Sequence, residues 1–497
     1  MRVIYATSDL EEWVDVAKNM QKEQNWEPIY WVTTPKNERS IQKAFPFVIT
    51  QGYIDAVRGR YTAIDRPSSE KVLDEEILEQ YCCYEKTALK MMDRMDPTAY
   101  TFNVSERTAL YYSLLSYWIN TIDVLNPDIV LFTESPHALF QYILYAVCIE
   151  NNIKILRFTP THIEGLTFLS SSVENVPGYL NETYVEYLNN TSSDTLKIVD
   201  TYLKKNRGSY QDALPYYMKS IVNTKSITEK IVLNSGKVNR FIKNKTWIAY
   251  KRGAMYSLDD DNITKQNLLS YKLKGYFTKK KLQKSYRSLS TRVDLSQTYI
   301  YVALHYQPEK TTSPEGGVFV DQWLMINMLS VLAPKGWKIY VKEHSSQFAE
   351  KLYGEQGRTC DFYKNISSFH NVHLVQEGNL TSFDLIDNAK AVATVTGTVG
   401  LEAVIRSKPV LCFGYAWYRL CEGVMDIKQV EELESALCRL EEGYIVDNQK
   451  VDAFLYAIEK ISFPAYLNPG NKLGVSFNET ENINNLTACL IQYAYKI

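Results

Sequence analysis

The sequence predicts an α/β protein with two doubly wound parallel sheets. Apolar runs of strand length alternate with segments of helical periodicity in two separate regions, a pattern typical of parallel sheets covered by helices. The 497 residues are 45% hydrophobic and 23% charged, so the chain can bury the cores of two or three domains. With only 21 Gly and 16 Pro, a collagen-like, linker-dominated or low-complexity protein is excluded.

The first region contains one clear βαβ unit. Ile129–Phe132 is a buried-type strand, Ala138–Glu150 is a helix and Ile153–Phe158 is a second strand, and such a crossover joins parallel strands. Earlier segments alternate in the same way: the β-rich runs Arg2–Thr7, Pro28–Thr33 and Phe47–Thr50, and the helical segments Glu70–Met95 and Ser105–Leu125.

The alternation returns near residue 295. The predicted strands are Thr298–Leu304, Trp337–Val341, Val372–Leu374, Ala391–Val395 and Val410–Phe413, and the helices are Phe319–Leu332, Ser382–Asn388 and Val399–Ile405. We therefore expect two Rossmann-like domains facing a cleft, the GT-B architecture. The predicted units are a first domain (1–190), a mainly helical connector (191–294), a second domain (295–475) and a C-terminal segment (476–497) whose helix packs back on the first domain.

The net charge of −2 conceals a basic segment. Residues 201–292 carry 21 Lys and Arg against five Asp and Glu, so the rest of the chain is acidic. The overall balance argues against a dedicated nucleic-acid binder. The basic segment is equally compatible with a solvated helical insertion and with a surface that docks on anionic lipid headgroups or a polyanionic acceptor.

The chain reads as a cytoplasmic protein. Acidic residues from Asp9 onward interrupt the N-terminus before the apolar region of a signal peptide could form. The longest apolar stretch, Ala138–Ile149, is too short to cross a bilayer. The eight Cys residues include no C-x-x-C pair, which favours reduced thiols.

The strongest candidate site lies at strand ends of the second region. His305, Gln307 and Glu309 follow the first predicted strand, and Lys342 and His344 follow the next. Carboxyl ends of parallel strands share one edge of the sheet, where open α/β sheets bind ligands. We therefore expect these side chains to share a ligand site.

A glycine-punctuated turn adds a third element to this site. Thr396, Gly397 and Thr398 lie between a strand and a helix, with Gly400 and Glu402 in the first helical turns. Free backbone N–H groups and hydroxyls at a helix N-terminus favour a phosphate. The turn lacks the Lys of a Walker A loop and the Rossmann glycine spacing, so neither ATP nor NAD is supported.

These motifs together resemble the bacterial capsule-polysaccharide biosynthesis proteins that include the Kdo transferases. The resemblance is dense over 290–415, general in the first domain, and does not extend to 201–292. It rests on Leu304-His305-Tyr306-Gln307-Pro308-Glu309, Thr311-Thr312-Ser313-Pro314, Gly316-Gly317, Asp321-Gln322, Val341-Lys342-Glu343-His344, the run from Thr396 to Ala403 and Lys408-Pro409-Val410.

The resemblance implies a GT-B fold, a CMP-activated ulosonic sugar as donor and surface-glycan assembly at the inner face of the membrane. By the same analogy His344 and Lys342 meet the donor phosphate, and Thr396 and Thr398 bind it from the turn. Gln307 and Glu309 then line the nucleotide or sugar pocket. Ser345 stands where the family usually has Pro.

Acid or base residues are expected from the first domain. Glu134 and His137 follow the strand Ile129–Phe132, so they face the same cleft. Glu134 is a candidate general base or carboxylate nucleophile, and capping of the next helix is an equal alternative. Asp9, with Ser8 after the first strand, is a second choice for the catalytic role, and His162 is a further cleft residue.

Two acidic or histidine patterns are not interpreted as metal sites. Asp259-Asp260-Asp261 lies in the basic segment and not at a strand end, and His370 and His373 have no third ligand in view.

The resulting hypothesis is a peripheral-membrane glycosyltransferase that transfers a Kdo-type or other nonulosonic acid from a CMP-sugar to a capsule or lipopolysaccharide acceptor. The scheme requires neither metal nor cofactor. The alternatives are a GT-B enzyme with a UDP-sugar or CDP-polyol donor, and a non-catalytic scaffold of a capsule assembly complex.

Overall fold

The computed structural model describes most of the chain. It leaves out residues 7–9, 62–70, 97–101, 164, 190–196, 214–264, 309–311, 350–351, 379, 471, 473–475 and 497, and the side chains of 265–272. The predictions for Ser8, Asp9, Asp259-Asp260-Asp261 and Glu309 therefore lie outside the described residues.

The first sheet has seven strands in the order β13-β6-β5-β4-β1-β2-β3. The five strands β5, β4, β1, β2 and β3 pair in parallel, whereas β6 is antiparallel to β5 and β13 is antiparallel to β6. Their bounds are β1 Arg2–Ala6, β2 Glu27–Thr33, β3 Ile49–Gly52, β4 Ile129–Phe132, β5 Lys154–Pro160, β6 Leu166–Ser170 and β13 Phe463–Pro464.

The second sheet has six strands, all parallel, in the order β12-β11-β10-β7-β8-β9. Both sheets are covered by helices, so the predicted α/β class with two Rossmann-like domains is confirmed. The bounds are β7 Tyr299–Ala303, β8 Lys338–Lys342, β9 Val372–Leu374, β10 Ala391–Thr394, β11 Val410–Cys412 and β12 Val424–Asp426.

Helices cover the sheets with their apolar faces. Those of the first domain are Glu12–Gln24, Pro35–Ala44, Tyr53–Val57, Glu75–Gln80, Cys82–Met91, Val104–Leu125, Leu139–Glu150 and Gly178–Asn189. Those of the second domain are Thr312–Glu315, Gln322–Leu332, Cys360–Ser367, Ser382–Asn388, Thr398–Ile405 and Val430–Glu441. Short 3₁₀ turns occupy Met92–Met95, Gly317–Val320 and Gly354–Gln356.

The helical segment predicted over Glu70–Met95 is interrupted in the structure. Tyr81 has φ −100° and ψ 5°, outside the helical region, and separates the two helices Glu75–Gln80 and Cys82–Met91. Its ring is buried and its backbone carbonyl accepts a hydrogen bond from the hydroxyl of Tyr111 at 3.2 Å. Tertiary burial of one aromatic residue thus overrides a continuous helical pattern.

The chain crosses back to the first domain near its C-terminus. The helix Asn448–Ile461 packs on Gly178–Asn189, and the helix Glu479–Tyr493 packs on Glu12–Gln24. Strand β13 already belongs to the first sheet, although the predicted second domain extends to residue 475. The return places Asn468 beside the cleft.

Three helices of the basic segment are described: Lys197–Arg207, Tyr210–Ala213 and Lys265–Leu289. The long helix is anchored to the second domain by the buried side chains of Leu282 and Tyr286. Lys279 also faces this domain, because its Nζ lies 3.2 Å from Glu355 and donates to the carbonyls of Ala349 and Leu352. Part of the positive charge is therefore structural and not solvated.

None of the helices described here has both the length and the apolar character needed to traverse a bilayer.

Candidate functional site

A cavity of about 530 Å³ lies between the carboxyl ends of the two sheets. The first domain lines it with residues in or just after β4 and β5, and the second with residues after β7, β8 and β10. This is the main cleft. The predicted site residues in its wall are Glu134, His137, His305, Lys342, His344, Thr396, Gly397, Thr398 and Glu402.

The turn after β10 is held open by hydrogen bonds to side chains. The backbone N–H of Gly397 donates to Thr394 Oγ1 at 3.2 Å, and the N–H of Thr396 donates to His305 Nε2 at 3.1 Å. A Cβ at position 397 would lie 2.9 Å from Thr394 Oγ1 and 3.2 Å from His305 Cε1. Only glycine fits this close approach without displacing a neighbour.

Thr396 and Thr398 play different roles in the turn. The hydroxyl of Thr396 is buried and has no hydrogen-bond partner in the part of the chain that the structure describes. The hydroxyl of Thr398 instead donates to Glu402 Oε1 at 3.3 Å. Because an unpaired buried hydroxyl is costly, Thr396 is the residue best suited to bind a ligand oxygen.

His305 supports the turn. Its Nε2 accepts from the Thr396 backbone, so in the neutral ring the proton resides on Nδ1. The backbone of His305 is itself fixed, since its N–H donates to Gln322 Oε1 at 2.9 Å and its carbonyl accepts from Arg358 at 2.9 Å. His305 thus links the loop after β7 to the loop after β10.

His344 has the opposite tautomer. Its Nδ1 accepts from the backbone N–H of Ser346 at 3.1 Å, which in the neutral ring leaves the proton on Nε2. This orientation is achieved with Ser345 between the two residues. The ring can therefore offer an N–H donor from Nε2.

Lys342 supplies the cation of the second-domain wall. Its Nζ donates to the carbonyl of Leu380 at 3.0 Å. Burial lowers the pKa of Lys342 to about 8, with the nearby Asp384 carboxylate acting in the opposite direction. At neutral pH the ammonium is still mostly charged.

Glu402 lies behind the turn. Burial raises its pKa to about 7, while the Thr398 hydrogen bond and Arg406 oppose the shift. Two residues missed by sequence reasoning, Tyr210 and Tyr301, line the same part of the cleft. Tyr210 comes from the connector, and its ring meets Phe383 edge-on with centroids 5.4 Å apart.

Two predicted residues do not line the main cleft. Gln307 turns away, because its Nε2 donates to Thr312 Oγ1 at 2.7 Å, and it lines a separate cavity of about 200 Å³. Gly400 faces Tyr418, whose hydroxyl a Cβ at position 400 would strike. That glycine permits helix packing and does not touch the cavity.

The first-domain wall is held by distant segments. Glu134 Oε1 accepts from Asn468 Nδ2 at 2.5 Å, and the backbone carbonyl of His137 accepts from Arg94. The following helix begins at Leu139, where the N–H of Ala138 donates to Gln141 Oε1 at 3.2 Å. His162, predicted as a cleft residue, also lines the cavity, with φ +61°.

An ion pair crosses the cleft. Arg157 on β5 lies 2.9 Å from Glu315 of the second domain, and its side chain is 6% exposed. The sequence carried one signal for it, a charged residue flanked by the apolar residues Leu156 and Phe158 in the middle of a strand. The pair joins the two walls of the cavity.

No group of three or more His, Cys, Asp or Glu side chains suited to a metal ion occurs among the residues that the structure describes.

The fold and cleft define a GT-B-type architecture of two Rossmann-like domains. Residues 238–444, less than half of the chain, match the family model described as "Capsule polysaccharide biosynthesis protein". The match confirms the resemblance inferred from the second-domain motifs. It also begins inside the basic segment, which the motifs did not reach.

Several solved structures align with this chain at low TM-scores. UDP-GlcNAc 2-epimerase from Neisseria meningitidis is 10% identical with 100% of both chains covered and a TM-score of 0.21. KpsC, beta Kdo 2,7 transferase, from Thermosulfurimonas dismutans is 12% identical, with 93% of this chain and 99% of that chain covered and a TM-score of 0.29. A second KpsC structure from Thermosulfurimonas dismutans, beta Kdo 2,4 transferase, is 18% identical. The alignment covers 43% of this chain and 63% of the KpsC chain, with a TM-score of 0.23. No curated protein matches the chain.

Proposed function

We propose that the chain is a glycosyltransferase that moves a Kdo-type or other nonulosonic acid from a CMP-sugar to a capsule or lipopolysaccharide acceptor. The observation that carries the proposal is the convergence of Lys342, His344 and the Thr396 hydroxyl on one cavity, with Glu134 in the opposite wall. The capsule-biosynthesis match over 238–444 supports the same class of chemistry.

The second domain is suited to hold the phosphate of the donor. A nucleotide leaves more readily when its developing negative charge is stabilised by fixed donors in a site shielded from water. The ammonium of Lys342, the Nε2 proton of His344 and the hydroxyl of Thr396 are such donors, and the helix Thr398–Ile405 directs its N-terminus to the same cavity. The phosphate would thus meet a cation and neutral donors together.

The first domain would supply the group that acts on the acceptor. Glu134 lies in the opposite wall and is oriented by Asn468. Two roles are open to its carboxylate: deprotonation of the acceptor hydroxyl, or attack on the sugar in a double displacement. His137 follows on the same loop and would line the acceptor side.

Nucleotide binding separates the donor hypotheses. In a thermal-shift experiment with CMP, UDP and CDP, we expect CMP to stabilise the full-length protein most, and His344→Ala to abolish the shift. The matched control is His370→Ala, which removes an exposed imidazole outside the cleft. Preferential stabilisation by UDP or CDP would instead favour a UDP-sugar or CDP-polyol donor.

The helix Lys265–Leu289 supports a peripheral site at an anionic membrane on the cytoplasmic side. Leu273, Tyr276 and Phe277 are 51%, 52% and 65% exposed, and their spacing places them on one face. Lys280 extends the same face and its Nζ lies 5.7 Å from the Tyr276 ring centroid. Exposed apolar side chains beside lysines suit the interface of anionic lipid headgroups.

Vesicle sedimentation tests this surface. We expect Phe277→Ser combined with Lys280→Glu to weaken binding to phosphatidylglycerol vesicles, while Lys22→Glu, a reversal of an exposed lysine on the first domain, leaves it unchanged. Lys279 is unsuitable for the test because it is paired with Glu355. Equal sedimentation of all three proteins would refute the docking surface.

A further inference from the structure

A second cavity, of about 200 Å³, lies on the seam between the domains and apart from the main cleft. The first domain contributes Lys90, Asp93 and Arg94, from the helix Cys82–Met91 and the 3₁₀ turn that follows. The second domain contributes its deeper wall, which includes Ser313 and Gln322. A ligand bound here would therefore contact both domains.

Two polar groups in the deeper wall lack partners. Gln322 is 1% exposed and Ser313 is 4% exposed. Neither Gln322 Nε2 nor Ser313 Oγ has a hydrogen-bond partner in the described part of the chain. The other amide atom, Gln322 Oε1, already accepts from the His305 backbone and from Arg358, which fixes Nε2 as the unpartnered end. Buried donors of this kind are normally satisfied, so the cavity is built to receive an oxygen acceptor.

The charges around the cavity favour an anion. Asp93 is neutralised by Lys90 at 2.7 Å and by Arg107 at 2.6 Å. Arg358, which also lines the cavity, is paired with Glu343 at 3.0 Å. Asp321, the other carboxylate among the described lining residues, lies on the exposed rim. Arg94 adds a further guanidinium, so among the described residues that line the cavity the cationic groups exceed the carboxylates.

We propose that this cavity is a binding site for a small oxyanion, a phosphate or a carboxylate, held by Gln322 Nε2 and Ser313 Oγ beneath Lys90 and Arg94. Arg94 also donates to the backbone carbonyl of His137, which lines the main cleft. An anion in the seam would therefore hold Arg94 and steady the loop that carries His137. The oxyanion is either free phosphate or, resting on the proposed function, an acidic group of the glycan acceptor.

Anion binding to the full-length protein tests the site. Isothermal titration with inorganic phosphate is performed on a Lys342→Met background, which weakens the phosphate site of the main cleft. We expect Ser313→Ala to weaken the remaining binding about three- to tenfold and Gln322→Glu to abolish it. Gln322→Glu keeps the acceptor for His305 and Arg358 but replaces the unpartnered NH₂ with a carboxylate oxygen that repels an anion.

Three outcomes decide the matter. Phosphate binding that is weakened by Ser313→Ala and lost with Gln322→Glu, in variants that keep the unfolding temperature of the Lys342→Met protein, supports the site whether or not the proposed transferase is correct. The proposal is overturned if both variants bind phosphate with the same affinity as the Lys342→Met protein. It is also overturned if the cavity holds only water in crystals soaked with phosphate. If Gln322→Glu fails to fold, Ser313→Ala alone decides, because it removes a hydroxyl that has no partner.

The source of the anion is distinguished by a second titration. Glucuronate that competes with phosphate, where glucose does not, assigns the site to an acidic sugar of the acceptor. Phosphate binding without competition from glucuronate assigns it to free phosphate.

Discussion

The two walls of the main cleft are built in different ways. In the second domain, the polar groups are fixed by hydrogen bonds within that domain, either between the loops after two neighbouring strands, as from Thr396 to His305, or within one loop, as from Ser346 to His344. In the first domain, Glu134 depends on Asn468, which returns from the far end of the chain. The proposed donor side is thus organised within one domain, whereas the proposed acceptor side is assembled from segments distant in sequence.

If the proposed function is correct, this difference separates donor binding from the transfer step. A site whose donors are already oriented loses little conformational entropy when a charged ligand binds. Glu134 faces these donors from the opposite wall, where the proposed function places the acceptor. Substitutions in the two walls should therefore affect different steps.

The largest effect is expected from Glu134→Gln. The substitution keeps an oxygen acceptor for Asn468 but removes the carboxylate, so sugar transfer should fall about 1000-fold. CMP affinity should be unchanged, because the second-domain wall is intact. Steady-state transfer and CMP titration measure the two quantities.

The control for this change is Glu186→Gln, which alters an exposed carboxylate on the helix Gly178–Asn189. The two walls would not be functionally distinct if Glu134→Gln weakened CMP binding as strongly as transfer. Full activity of Glu134→Gln would show that the Glu134 carboxylate is not required for sugar transfer.

A pH-dependent effect is expected from Glu402. Burial raises the pKa of Glu402 in the native state from its ordinary value of 4.5 to about 7, so the native state binds this proton more tightly than the unfolded chain. The associated stability is complete below about pH 4.5 and is lost as the pH rises to about 7, a change of about 3 kcal/mol. Glu402→Gln should lack this loss.

Urea unfolding of both proteins across this pH window measures the difference in unfolding free energy. We expect the variant to gain stability relative to the native protein as the pH rises. A difference that stays constant with pH would show that Glu402 does not titrate there.

A smaller effect is expected from Thr396→Val. Valine keeps the shape and removes a hydroxyl without a described partner, so donor KM should rise about tenfold, or ~1.4 kcal/mol, with no loss of stability. The matched change Thr398→Val breaks the bond to Glu402 and should lower the unfolding free energy by about 1 kcal/mol. If Thr398→Val raised the donor KM and Thr396→Val lowered the unfolding free energy, the ligand-binding hydroxyl would be that of Thr398 and the structural one that of Thr396.

Much of the fold could be predicted because it depends on local patterns. The strand Ile129–Phe132 and the helix Ser382–Asn388 have the bounds that the sequence predicted. The antiparallel strand β6 and the two-residue β13 were not predicted, and β13 is too short to leave a periodic signal. The break at Tyr81 was also missed, because burial of its ring decides it.

The site was predictable to the extent that its residues follow parallel strands. Lys342 and His344 reach the cleft for that reason. Gln307 also follows a strand, but its side chain is hydrogen-bonded to Thr312 and therefore lines the second cavity and not the main cleft. Arg157 and Asn468 come from a strand interior and from the C-terminal return, and only tertiary structure brings them to the cleft. The role assigned to each residue remains a prediction.

A crystal structure with CMP bound tests the central claim most directly. We expect the phosphate within hydrogen-bond distance of Thr396 Oγ1 and His344 Nε2, with Lys342 beside it and the Glu134 carboxylate facing the open side of the nucleotide. CMP bound outside the main cleft, or within it but away from the turn after β10, would contradict the proposed donor site.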